Sequence, residues 1–301
     1  MTSAPGGADD NLEAAMPTTI VFVHGRGQEA KNPANLLRDW RGGLAAGLVR
    51  AQLPPADAVP AVFPYYGDIL FRMTAEMAAA GGRVQLEAPM PDDPEEIPFQ
   101  PYVTAEVGDL QRQLVTDMAV AAGAVPPEGP EALLSWKWAR KMLGFLSKHT
   151  RVDRQIIQTY LRDVAVYLER GRDTVLQSVR AALPPDGDLV IVAHSLGGVV
   201  ARDLLETESI RRRTKLWVTA GAPLGLETVQ RNLLSKGCHN PGLPWLTAYD
   251  VNDIVALGHP LREQWGAPLD DVEVDNGDAP HSITQYLGHG RVAEAIGRAV
   301  R

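Results

Sequence analysis

Residues 188–203, DLVIVAHSLGGVVARD, constrain the fold more than any other stretch of the chain. Leu189, Val190, Ile191 and Val192 form an unbroken apolar run too short for a helix, the pattern of a strand buried on both faces. Small residues follow at once: Ala193, Ser195, Gly197 and Gly198. A helical pattern then begins, with Val199, Val200, Leu204 and Leu205 on one side. Strand, tight turn and helix are the setting in which a small-x-Ser-x-Gly sequence, here Ala193-His194-Ser195-Leu196-Gly197, lifts a serine from the top of a sheet. In so sharp a turn the residues two before and two after the serine are expected to crowd each other, so both are small. The N–H of Leu196, at the helix start, is placed to face an oxyanion. A plain connecting turn is the competing account of the same letters.

The chain has 301 residues, 45% hydrophobic and 22% charged, enough to bury a large α/β core. A net charge of -8 argues against nucleic acid as a general partner. With Cys238 alone there is no disulfide within the chain, and a reducing, cytoplasmic location is expected. No apolar run reaches the 18 or so residues of a membrane span. Residues 1–17 lack a basic start and an apolar stretch, so they read as a flexible tail rather than a secretory signal. Residues 18–301 then form one domain.

Thr18 to Val23 is a first buried strand running into His24-Gly25-Arg26-Gly27. A helix from Pro33 to about Leu48 and a strand from Val59 to Phe63 complete a β-α-β opening, which implies a parallel sheet. Gly25-Arg26-Gly27-Gln28-Glu29-Ala30 also fits a dinucleotide fingerprint, but no acid ends the second strand before Asp68 and Pro33 starts the helix late. The other use of His24-Gly25 is an oxyanion loop, with the N–H of Arg26 as a donor. Residues 68–150 leave the β-α rhythm and read as a helical cap inserted before the serine turn. Within it, Trp136, Trp138, Met142, Phe145 and Leu146 give one helix a wide apolar face, and residues 135–151 hold five Lys or Arg and no acid. Three uses fit that helix: ordinary packing, a lid over the site, or transient contact with an anionic membrane surface. Further strands are expected at Lys215–Val218, Trp245–Tyr249 and Val272–Val274.

A serine hydroxyl becomes a useful nucleophile when an imidazole removes its proton and a carboxylate holds that imidazole. Beyond Ser195, Asp250 and Asp253 follow the strand ending at Tyr249, with Asp253 preferred. His281 follows the last expected strand, His259 comes too early, and His289 is the reserve. No HxxxH, HxH or CxxC spacing supports a metal site.

VFVHGRG, VAHSLGG, VTAGAPLG, YDVNDIVAL and APHSITQYL together resemble the α/β-hydrolase superfamily, in its lipase and esterase-like branch. The resemblance spans the core from Val21 to about Leu287, outside the tail and the cap. It implies Ser195 as nucleophile, Asp253 as acid, His281 as base, and the N–H groups of Arg26 and Leu196 as oxyanion hole. His24, Gly25, His194 and Gly197 complete the motifs, with Ala193 in the first glycine position of the serine turn. It further implies a sheet of about six strands, an acyl ester, thioester or lipid substrate, and no cofactor. PYYGD and Asp163–Tyr167 resemble intracellular phospholipase-like members, while a cap placed before the serine departs from the commonest arrangement. A binding protein that kept the fold and lost the chemistry is the alternative from a different class.

Overall fold

The computed structural model describes residues 17–80, 104–125, 136–150 and 154–301. Residues 1–16 of the tail, and residues 81–103 and 126–135 of the expected cap, lie outside the described residues. The six strands are β1 (Thr19–Val23), β2 (Ala61–Val62), β3 (Leu189–His194), β4 (Thr214–Ala220), β5 (Trp245–Tyr249) and β6 (Leu269–Glu273). They form one parallel sheet in the order β2-β1-β3-β4-β5-β6. The order reverses between β1 and β3, which leaves a crevice at their carboxyl ends where ligands of open α/β sheets bind.

Successive residues of the central strands feed opposite faces, as a period of two demands. Val190, Val192, Phe22 and Val218 pack with Trp40, Leu44 and Leu48 of α1 (Pro33–Arg50) and with the C-terminal helices. Leu189, Ile191, Val21 and Trp217 face the other layer. That layer holds α2 (Gly67–Ala80), α3 (Ala105–Ala121), α4 (Trp136–Thr150), α5 (Arg154–Val166), α6 (Arg172–Ala181) and α7 (Leu196–Leu204). Helices α3, α4 and α5 pack on one another. Asn32 caps α1, its side chain accepting from the N–H groups of Ala34 and Asn35.

One expectation is corrected. The last strand lies at Leu269–Glu273, ahead of Val272–Val274. Only Leu269 and Val272 turn fully inward there, with acids between them, so no apolar run marks where this edge strand starts. Between α5 and α6 the chain widens into a π-type turn at Tyr167–Gly171 without leaving the helical path. Among the described residues, no helix is long and apolar enough to cross a membrane.

Candidate active site

Ser195 follows β3 with φ 57° and ψ −133°. A non-glycine residue held at positive φ costs about 1–3 kcal/mol and persists only where its surroundings over-determine it. Here Ser195 N donates to Ala220 O on β4 at 3.0 Å, and Gly198 N donates to Ser195 O at 2.9 Å. On the other side, Gly25 lies so close that a Cβ there would stand 2.6 Å from Ser195 Cβ. Gly197 meets the carbonyls of Val23 and His24. Its smallness is therefore demanded by the end of β1.

His281 Nδ1–H donates to Asp253 Oδ2 at 2.8 Å. Asp253 is fully buried, and its carboxylate also accepts from Tyr286 Oη at 2.8 Å and from Val255 N at 2.9 Å. Because a buried carboxylate only accepts, the donated proton sits on Nδ1 and leaves a lone pair on His281 Nε2. The two acid candidates separate cleanly. Asp250 accepts from Asn252 N at 2.8 Å and from Asn276 N at 2.6 Å, closing its own turn.

Four other histidines, His259, His289, His24 and His194, are already engaged. His259 Nδ1–H donates to Ala256 O at 2.7 Å and its Nε2 accepts from Thr247 Oγ1 at 3.1 Å, while burial lowers its pKa to about 4. His289 pairs with Asn276 Oδ1 at 3.0 Å. His24 is buried against Tyr66, with ring centroids 3.9 Å apart. Its Nδ1–H donates to Gly25 O at 2.6 Å and its Nε2 accepts from Tyr66 N at 3.1 Å, while Tyr66 Oη donates to His24 O. Burial lowers its pKa to about 4, so it braces the Gly25-Arg26 loop as a neutral ring. His194 Nε2–H donates to His281 O at 3.1 Å, and burial followed by the nearby His281 holds it well below its ordinary pKa. His194 thus holds the loop that carries His281.

Ser195, His194, His281 and Arg26 line one cavity of about 440 Å³. Its apolar walls come from Leu36 and Trp40 of α1, Met118 of α3, Ile156 and Ile157 of α5, and Ile254, Val255 and Ile283. The Ser195 hydroxyl is buried there without a hydrogen-bond partner. Leu196 opens α7, and the first N–H groups of a helix have no acceptor within it. Arg26 is fixed on both sides: its carbonyl accepts from Gln28 Nε2 at 3.0 Å, and its Nε pairs with Asp163 Oδ2 on α5 at 2.9 Å.

No described residue of helix α4 lines the cavity. Its Ala139, Met142, Leu143 and Leu146 are buried in the core layer, and Lys141 and Lys148 are exposed. From the helical layer, the described lining comes from Met118 of α3 and from Ile156, Ile157 and Tyr160 of α5. Sequence reasoning missed Tyr160, Trp40 and the Arg26–Asp163 pair. Tyr160 sat in an apolar helical stripe, and nothing local marked it as facing a cavity.

The dinucleotide reading loses its physical basis. Asn32 already caps the N–H groups that a pyrophosphate would need, and Gly25 is packed on Ser195. Among the described residues, no group of three or more His, Cys, Asp or Glu could hold a metal ion. No protein-family model matches the chain, and no curated protein matches it.

Proposed function

We propose that the chain is a serine hydrolase of the α/β-hydrolase fold that cleaves a carboxylic ester or thioester. Ser195 Oγ attacks the carbonyl carbon while His281 Nε2 takes its proton, and Asp253 stabilises the imidazolium that forms. The N–H groups of Arg26 and Leu196 receive the negative charge on the former carbonyl oxygen. The leaving alcohol or thiol takes the proton from His281 and departs, leaving Ser195 acylated. Water, deprotonated by His281, then releases the acid and restores Ser195.

One observation carries the reading: His281, paired with the buried Asp253 at 2.8 Å, lines the same cavity as a serine held at φ 57°. The crossing of β-strand order beside that cavity and the apolar walls support an acyl substrate. The unpartnered Ser195 hydroxyl favours a second reading, a binding protein without turnover. A fluorophosphonate probe and p-nitrophenyl esters decide between them. Wild type is expected to be labelled and active. Ser195→Ala is expected to abolish labelling and lower turnover by a factor on the order of 10⁴, with unchanged circular dichroism. Hydrolysis that survives Ser195→Ala removes the assignment, and an unlabelled, inactive wild type favours the binding protein.

A further inference from the structure

Five tyrosines are buried among the described residues: Tyr66, Tyr160, Tyr167, Tyr249 and Tyr286. Four of them donate their hydroxyl, to His24 O, Asp203, Glu273 and Asp253 respectively for Tyr66, Tyr167, Tyr249 and Tyr286. Tyr160 does not: its Oη is closed to water and has no hydrogen-bond partner. An orphaned buried hydroxyl lowers stability, so its retention calls for an explanation outside the resting fold.

Its place supplies one. Tyr160 lies on α5 and lines the cavity that holds Ser195 and His281. Three residues on, Asp163 pairs with Arg26 at 2.9 Å. Side chains three apart share a helix face, so this ion pair fixes the Tyr160 face of α5 over the loop that offers the Arg26 N–H. We propose that Tyr160 Oη donates a hydrogen bond to the substrate's carbonyl oxygen as it becomes an oxyanion, a third donor beside the N–H groups of Arg26 and Leu196. The inference rests on the serine hydrolase reading. The phenol keeps its proton throughout, in keeping with burial and then Asp253, which hold it protonated well beyond its ordinary range. The Ser195 hydroxyl, the other unpartnered group of the cavity, provides the attack, and the Tyr160 hydroxyl meets the charge that the attack creates.

Tyr160→Phe keeps the ring and removes only the orphaned hydroxyl, so its Tm is expected to be unchanged or higher. With p-nitrophenyl butyrate, kcat is expected to fall about 100-fold while KM stays within about twofold, the pattern of an interaction made in the transition state. Fluorophosphonate labelling should still occur at Ser195, but more slowly. An unchanged kcat, a change in KM alone, or a lowered Tm would each overturn the proposal by showing a packing or ground-state role. A wild-type protein that neither labels nor turns over removes the hydrolase reading itself, whereas a labelled, active wild type with an equally active Tyr160→Phe removes only this inference.

Discussion

The Asp253 carboxylate takes three donors at once, from His281 Nδ1, Tyr286 Oη and Val255 N. Asp253→Asn would put an amide N–H where two of them already point, so His281 would lose its tautomer. A kcat loss of roughly 10³–10⁴ is expected. Asp250→Asn instead breaks a turn contact with Asn276, so it should lower stability by about 1–3 kcal/mol and leave kcat within about tenfold. Ester turnover and urea unfolding of the two variants check this, and the reverse order would shift the acid role to Asp250. The crowding there also explains Gly221, whose φ is 54° and where a Cβ would come 2.4 Å from Asp253 Oδ2. Ser195, Asp253 and His281 were legible because each sits in a short local pattern. The duties of His24 and His194 were not, because their partners Tyr66 and His281 lie 42 and 87 positions away.

At the scale of elements, amphipathic width does not by itself tell a lid from a packed helix. Helices α4 and α5 both carry apolar faces, and a pattern of 3.6 reports that a face is buried, not what covers it. The packing now separates them. Ile156 is exposed at the cavity wall on α5, while Leu146 of α4 is fully buried in the core. Ile156→Ala should therefore leave stability nearly unchanged and raise KM for long acyl esters more than for acetyl esters, by about 1–3 kcal/mol at most. Leu146→Ala should cost about 2–5 kcal/mol of stability without favouring either chain length. A p-nitrophenyl ester series with denaturant melts checks both. Five strands and the long helices could be read from apolar runs and periodicity. The short helix Ile283–Gly288, which positions Tyr286 under Asp253, could not, because six residues are too few for a period to show.

Across the whole molecule, the buried histidines tie stability to acidity. His24 and His259 have their pKa lowered from 6.5 to about 4, chiefly by burial. Between those values the unfolded chain binds protons that the native state refuses, so stability is full above about pH 6.5 and falls as pH drops toward 4. Each ring contributes up to about 3 kcal/mol to that slope. Urea midpoints at pH 7 and pH 5 should differ accordingly, and His259→Gln should flatten the difference. A flat wild-type profile would mean that these rings are hydrated. The sheet order has a further consequence, for how the chain is made. β1 finds its β2 partner only about 40 residues further along the chain, but its second edge waits for β3, Thr19 meeting Leu189 and Val23 meeting Ala193. Until the ribosome has delivered Ala193, the TIVFV strand that ends beside the serine turn offers an apolar, unpaired edge to any neighbouring nascent chain.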